Sequence, residues 1–458
     1  MIHKYKLNNY NILIDVNSGA VHIIDDICFD MLSIINKENL YTYPEDKLIN
    51  QFSNKYAKQD ILETYQEVQT MFEKDQLFTN DLFGGESIKN KIVNSPIKAM
   101  CINIAHDCNL KCEYCFAAKG DFGYKKELMP LDTAKKAIDF LINNSGDRHN
   151  LEVDFFGGEP LMNFNVVKET IEYARSIEKK SGKNFRFTIT TNGMLLDDEK
   201  INFINKEMHN VVLSLDGRKN INDKLRLTKS GKSSYEIIVP KYQKLVKSRK
   251  DKDYYVRGTF TKNNLDFSKD VMHMYELGFE NISVEPVVSD SHLSYSIKEE
   301  NLDKIFQEYE ILAKKIIELR QKNKKIIFFH FMIDLEKSPC AVKKLKGCGC
   351  GNEYVAVTPS GDIYPCHQFV GKEQFKMGNL NDNTLNLPLK NKFSLNNIYS
   401  KDECIKCWAK YFCSGGCSAN NFNFEQNINT PHKISCALQK KRLECAIMIK
   451  AWVKLQNN

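Results

Sequence analysis

Cys108-Asn109-Leu110-Lys111-Cys112-Glu113-Tyr114-Cys115 places three thiols within eight residues, in a CxxxCxxC spacing. Residues 98–105 just before it (KAMCINIA) are apolar and predict a strand, so the cysteines fall in the loop at a strand's carboxyl end. Three thiolates this close can converge on one cluster of iron and sulfide, for which cysteine is the usual ligand. A cubane has four irons, so three ligands leave one iron open to a small chelating molecule that can receive an electron. The competing readings of the spacing are a zinc site or reactive thiols. Zinc usually takes four ligands from paired CxxC-like spacings.

Outward from this run, three more signatures each close an apolar stretch: Gly157-Gly158-Glu159-Pro160, Thr190-Thr191-Asn192-Gly193 and Ser214-Leu215-Asp216-Gly217. Together and in this order, the four elements resemble those of the radical S-adenosylmethionine (radical SAM) superfamily. The resemblance implies that the open iron on Cys108, Cys112 and Cys115 binds the amino and carboxylate groups of S-adenosylmethionine. The reduced cluster then cleaves it to a 5′-deoxyadenosyl radical. It further implies that Gly157 and Gly158, which lack a Cβ, let the backbone approach the amino group. Glu159 would make a charged hydrogen bond to that ammonium. Thr190 and Asn192 would bond the ribose hydroxyls, Ser214 would add a polar contact, and Tyr114 would pack against adenine. Asn222-Asp223-Lys224-Leu225-Arg226 resembles the family's HDxxR element with Asn in place of His. Arg226 is then a bidentate partner for the methionine carboxylate, with Arg257 competing for the role. For each of these single residues the alternative is a structural hydrogen bond.

The 458 residues are enough for two or three domains. The net charge of +7 comes from interspersed Lys and Asp/Glu, a solvated surface and not a nucleic-acid stripe. No apolar run approaches the roughly 18 residues of a membrane span. Met1-Ile2-His3-Lys4-Tyr5-Lys6 lacks a signal peptide's apolar core, so a cytoplasmic protein is expected. A disulfide scaffold does not suit 15 cysteines in a reducing compartment. Apart from Cys28 and Cys101, the cysteines divide between 108–115 and 340–445, which points to two metal-binding regions. Cys28, Cys101 and Cys445 lie in predicted regular structure and read as buried structural thiols.

Three short strands are predicted at 3–7, 11–16 and 20–24, with turns at Asn8-Asn9 and Asn17-Ser18-Gly19. Helices follow at 25–35, 44–56 and 58–73. Residues 1–80 thus suggest a winged-helix-like unit, which reads either as a structural cap or as a unit that resembles the peptide-recognition element of enzymes that modify ribosomally made peptides. In the second reading a leader peptide adds a strand to the sheet edge. Residues 81–97, with Gly84-Gly85, read as a linker or bridging region. From residue 98, strands at 98–104, 151–156, 184–190, 210–215, 253–260 and 281–287 alternate with helices, implying a parallel sheet with helices outside. The resemblance closes residues 98–325 into a partial (β/α)6 barrel, and every signature falls at a strand's C-terminal end, where barrel enzymes carry their chemistry. The expected class is α/β.

Residues 326–458 carry the second cysteine region. Cys348-Gly349-Cys350 precedes a predicted hairpin that turns at Pro359-Ser360-Gly361-Asp362 and ends at Cys366. Cys404, Cys407, Cys413, Cys417 and Cys436 follow. Alone, this could hold two zinc ions. After a radical SAM core it resembles the SPASM extension with two auxiliary [4Fe–4S] clusters, for three clusters in all. The resemblance gives auxiliary cluster I Cys348 or Cys350, with Cys366 and Cys417. It gives auxiliary cluster II Cys404, Cys407, Cys413 and Cys436. Which of Cys340, Cys348 and Cys350 bind stays open. His367 and His432 read as polar neighbours of ligands.

The whole pattern most resembles the thioether-forming maturases of six-cysteine SCIFF peptides, of the ranthipeptide and sactipeptide type. The resemblance implies a ribosomally made precursor peptide bound through its leader and a flavodoxin- or ferredoxin-like reductant, with no nucleic acid and no membrane. The radical removes a hydrogen from an acceptor residue and a peptide cysteine couples to that carbon. Converting C–H and S–H to C–S removes two electrons, one taken by the radical and one left for the auxiliary clusters. The alternatives are an oxidative maturase of the anaerobic sulfatase type and a carbon–carbon crosslinking maturase.

Overall fold

The computed structural model describes residues 1–81, 83, 95–290, 292–335, 341–382 and 384–456. Cys340 and most of the 81–97 linker lie outside them.

The N-terminal unit is a three-stranded antiparallel sheet, β1 (Ile2–Leu7), β2 (Tyr10–Asp15) and β3 (Val21–Ile24), followed by α1 (Asp26–Met31), α2 (Glu45–Phe52) and α3 (Lys58–Glu73). Asn8 and Asn9 adopt φ of 47° and 64°, the left-handed pair that a tight hairpin needs. α1 and α2 are shorter than their apolar spacing predicts. The sheet is apolar on both faces because both are covered. Leu13 packs with Ile27, Met31, Ile61 and Val68 of the unit's own helices. Tyr5, Leu7, Ile12 and Ile14 belong to the central core of the molecule. What covers them is the closing helix Lys433–Gln456, which meets β1 and β3. His3 stacks on Trp408 at 4.0 Å and bonds Glu444 at 3.0 Å, and Tyr5 donates to the Glu444 carbonyl at 2.8 Å.

The central sheet contains all six predicted strands: β4 (Ala99–His106), β6 (Asn150–Gly157), β7 (Asn184–Thr191), β8 (Asn210–Ser214), β9 (Asp253–Phe260) and β10 (Asn281–Pro286). They pair in parallel in that order, with the short β5 (Glu127–Leu128) antiparallel on β4 and β11 (Ile327–Phe328) on β10. β4 is buried at every position, as a central strand must be. In β6, Leu151, Val153 and Phe155 are fully buried, while Asp154 and Phe156 on the other face are partly open. One helix that the apolar spacing does not announce, Lys219–Leu225, follows β8 and carries Asn222.

The C-terminal region is continuous with this sheet. β12 (Tyr354–Val357) pairs in parallel with β4, Tyr354 opposite Ala99 and Val357 opposite Ile102. It turns through Gly361 (φ 85°) into β13 (Asp362–Tyr364), and the short β14 (Gly378–Asn379) and β15 (Thr384–Leu385) complete the edge. Beyond that, helices of four to nine residues connect the cysteines. The closing helix then packs along the helix Leu302–Gln321. No helix among the described residues is long and apolar enough to cross a membrane.

Candidate functional site

The loop of Cys108, Cys112 and Cys115 is held from three sides. Beneath it, the double glycine folds onto the backbone just ahead of Cys108. Gly158 N–H donates to the Ala105 carbonyl at 2.8 Å and Glu159 N–H to the Asp107 carbonyl at 2.9 Å. A Cβ on Gly158 would stand 2.1 Å from the Asp107 oxygen, and one on Gly120 would stand 2.6 Å from the Cys108 Cβ. The close approach that these glycines permit is therefore between protein backbones. On the far side, Lys111 N–H donates to the Leu227 carbonyl and Glu113 N–H to the Leu225 carbonyl, each at 3.0 Å. Asn192 closes the third side: its Nδ2 donates to Asn109 Oδ1 at 2.8 Å and to Cys108 Sγ at 3.5 Å.

Beside the thiols lies a buried polar network. Tyr114 donates its hydroxyl proton to Asp216, 2.7 Å from Oδ2, and accepts from Arg226 Nη1 at 2.8 Å. Thr259 N–H also donates to Asp216, at 3.0 Å. Burial pushes the Asp216 carboxyl up against the opposing pull of Arg226. Arg226 is 8% exposed, and its buried Nε has no partner. A guanidinium with an open donor is what a carboxylate ligand requires. The Tyr114 hydroxyl, by contrast, is engaged within the protein. Glu159 is fully committed there too: Thr191 Oγ1 and Asn192 N–H donate to it at 2.7 Å each, and Leu161 N–H at 3.0 Å. It ties the loops after β6 and β7 together. Thr190 is half-buried in β7 with its backbone paired to β8. The carbonyl of Ser214 accepts from Tyr242 at 3.1 Å.

Arg257 stands in a different network. It pairs with Glu285 at 2.8 Å, and His330 lies 3.9 Å from the same carboxylate. Arg442 of the closing helix donates to His330 Nδ1 at 3.0 Å, so the ring's own proton sits on Nε2, facing Ser283 at 3.2 Å. Asp216, in the Ser214–Gly217 signature, is a site residue for which sequence reasoning supplies no role. A carboxylate in a strand-exit loop, in a chain with an HDxxR-like arginine, was the available signal.

The C-terminal cysteines form two groups. Cys348, Cys350, Cys366 and Cys417 interact electrostatically, with the Cys350 and Cys366 thiols hydrogen-bonded to each other. Both Cys348 and Cys350 thus reach the first group. Their loop is anchored by buried Glu353, which pairs with Lys98 at 2.5 Å and Arg148 at 2.9 Å. Cys404, Cys407, Cys413 and Cys436 form the second group. Among the described residues no three His, Cys, Asp or Glu side chains converge tightly enough for a single metal ion. The cysteine sets are neighbours spread wider than one ion's ligand shell. Burial pushes the Cys108 thiol up to about 12 and the Cys112 thiol up to about 11. It pushes Cys404 up to about 12 and Cys436 up to about 11. Thiols so disposed become thiolates only against a bound cation, which fits an iron–sulfur core.

His367 follows Cys366 and lies between Phe116 (5.5 Å) and Phe156 (5.0 Å), its buried Nδ1 without a partner. Phe116 itself follows Cys115, so the two cysteine loops meet through these rings. His432 is stacked on Phe424 at 3.9 Å and bonded to Ser435 at 2.9 Å.

Residues 102–260 match the radical SAM superfamily, and residues 348–408 match SPASM, an iron–sulfur cluster-binding domain. The chain is 22% identical over 464 residues to the radical SAM cyclopropyl synthase TigE of Paramaledivibacter caminithermalis, covering 94% of this chain and 91% of TigE. It is 25% identical over 364 residues to the serine-type anaerobic sulfatase-maturating enzyme of Bacteroides thetaiotaomicron, covering 72% of this chain and 84% of that one. It is also 28% identical over 320 residues to an uncharacterized protein of Methanocaldococcus jannaschii, covering 69% and 96%. Among solved structures, anSMEcpe with bound AdoMet and Kp18Cys peptide superposes with a TM-score of 0.65 at 22% identity, over 79% of this chain and all of that one. Streptococcus suis SuiB bound to S-adenosylmethionine superposes with a TM-score of 0.54 at 18% identity, over 95% and 98%. The α/β fold is that of the radical SAM enzymes, and the chain carries a radical SAM domain followed by a SPASM domain, with homology to the anaerobic sulfatase maturases and to TigE.

Proposed function

We propose that this enzyme installs thioether crosslinks in a ribosomally made, cysteine-rich precursor peptide held through its leader. The observation that carries the reading is an open sheet edge with a groove beside it, in the same chain as the radical SAM site and two further cysteine groups. β3 pairs with β2 on one side and with no other strand among the described residues. Beside it lies a groove of about 470 Å³ lined by His22, Ile24, Cys28, Glu67 and Met71. An extended peptide adding to that edge gains main-chain hydrogen bonds and seats alternate side chains in the groove.

Cys108, Cys112 and Cys115 would hold a [4Fe–4S] cluster, and the two C-terminal groups would each hold another. When bound, the first supplies the electron that cleaves S-adenosylmethionine. The chain's own residues do the positioning. Arg226 offers its free Nε to the methionine carboxylate. Tyr114 and Asp216 hold that guanidinium in place, and Glu159 fixes Asn192 against the thiol loop. Phe116, Phe156 and His367 form an aromatic wall between the radical site and Cys366, where a peptide side chain can be sheltered from water.

Maturation of the anaerobic sulfatase type is the second reading, favoured by the relatives named for it. Carbon–carbon bond formation is a third, favoured by the likeness to TigE over 94% of the chain. One experiment separates them: anaerobic turnover of a six-cysteine precursor peptide, followed by iodoacetamide alkylation and mass spectrometry. Each thioether lowers the mass by two hydrogens and removes one alkylatable thiol. A carbon–carbon link lowers the mass and leaves every thiol. Oxidation of the sulfatase type converts cysteine to an aldehyde with loss of its sulfur. Retention of all thiols would overturn the thioether assignment.

A further inference from the structure

Lys401 is 3% exposed, beside buried Ile398 and Tyr399. Its Nζ donates to the Gly415 carbonyl at 2.6 Å. That carbonyl belongs to the Cys413-Ser414-Gly415-Gly416-Cys417 turn, which curls around the ammonium. Ser414, Gly415 and Gly416 all have positive φ (59°, 86° and 77°), and a Cβ on Gly415 would stand 2.9 Å from Nζ. At its other end, the Lys401 carbonyl accepts from Cys404 N–H at 3.0 Å. The residue therefore spans the turn from Cys413, in one cysteine group, to Cys417, in the other, and holds Cys404 at its base.

A buried cation is costly unless opposite charge surrounds it. Lys410 illustrates the usual solution: 4% exposed, it pairs with Asp81 at 3.0 Å. Among the described residues Lys401 has no such carboxylate partner. Burial pulls the ammonium down, and the groups that oppose this and favour its charge are sulfurs: Cys404, Cys413 and Cys436 of one set and Cys417 of the other. The reciprocal pull of the lysine on Cys404, Cys413 and Cys436 is also present. Net charge, hydrogen bonds to sulfur and solvent exposure set the potential of an iron–sulfur cluster. A fixed positive charge in a dry site favours the more negative, reduced state.

We propose that Lys401 is a redox-tuning cation held between the two C-terminal cysteine groups, raising the reduction potential of the clusters they bind. This rests on those groups binding clusters, as proposed above. Lys401 acts through the clusters and touches no substrate. Its role suits a reaction whose second electron must be accepted inside the protein.

The test uses the full chain reconstituted anaerobically, with iron counted and the clusters titrated against redox mediators under EPR. Wild-type protein holding about four irons would mean the C-terminal cysteines bind no clusters, and the reading beneath this proposal would fail before any variant is made. With about twelve irons in the wild type, Lys401→Met should lower the reduced-to-oxidised ratio of an auxiliary cluster about tenfold at fixed poise, about 59 mV for a one-electron couple. Lys401→Arg should restore it. If Lys401→Met fails to assemble the auxiliary clusters but Lys401→Arg assembles them at the wild-type potential, the positive charge is again the cause. Full iron with unchanged potentials in Lys401→Met overturns the proposal. So does a matching failure of Met and Arg, which would assign the residue to shape.

Discussion

The barrel mouth and the C-terminal cysteine region hold their thiols by opposite means. Cys108, Cys112 and Cys115 hang from the end of β4, a strand buried along its whole length and flanked by β6 and β12. Their loop is fastened by backbone hydrogen bonds to the end of the helix Lys219–Leu225 and by the double glycine at the end of β6. Cys404, Cys407, Cys413 and Cys417 sit on helices of four residues or in the turns between them. What fixes them is buried charge, Lys401 on Gly415 and Lys410 on Asp81, as Glu353 between Lys98 and Arg148 fixes the loop of Cys348 and Cys350. A hydrophobic sheet places ligands without needing the ligated group. A region of short elements and buried ions relies on that group for part of its folding energy.

Four measurements sharpen or break this contrast. Cys112→Ala should abolish reductive cleavage of S-adenosylmethionine while leaving the C-terminal irons in place. Loss of all iron would show the two regions to be one cooperative unit. Chelation of iron from the wild-type protein should raise hydrogen exchange across residues 402–436 by orders of magnitude and leave the β4 amides protected. Equal loosening of both would remove the distinction. Gly158→Ala drives a methyl group into the Asp107 carbonyl, backbone against backbone, and should cost about 1–3 kcal/mol in thermal or denaturant unfolding with loss of iron from the first set only.

The smallest effect concerns Asp81. Burial alone would raise its carboxyl, but hydrogen bonds from Tyr411, Lys410 and Tyr399 outweigh this and hold it at about 2. A depressed acid contributes stability above its unfolded value, near 4, that is lost as pH falls toward the folded one. Asp81→Asn should cost about 1 kcal/mol at pH 7, after discounting for the carboxylate's partial exposure, and flatten the loss between about pH 4 and pH 2. An unchanged acid limb would mean that this pair does not fasten the region.

The six barrel strands were legible because each is an apolar run, as a parallel sheet buried on both faces demands, and the first four are closed by a polar signature. The thiol spacing pointed to the cluster loop for the same reason. Other features escaped because they depend on which loop folds onto which. Glu159 reads as a ligand for an ammonium, yet three donors from its own strand exit and that of β7 claim it. Arg257 and Arg226 look alike in sequence, but only Arg226 faces the thiols, since β9 carries Arg257 toward Glu285. Gly120 has no neighbouring motif, and its need for a bare Cα comes from Cys108, twelve residues earlier. Lys401 and Asp81 are polar residues in polar stretches, and only the fold shows the first buried and the second ringed by Tyr399, Lys410 and Tyr411.

The closing helix Lys433–Gln456 begins beside Cys436 and ends beneath the N-terminal sheet, receiving Tyr5 and His3 at Glu444. Anyone exchanging the N-terminal unit for another inherits this connection. Exchanging residues 1–80 alone would strand an apolar sheet face against a foreign helix. A graft that also carries the matching helix surface transfers the N-terminal unit with its foundation.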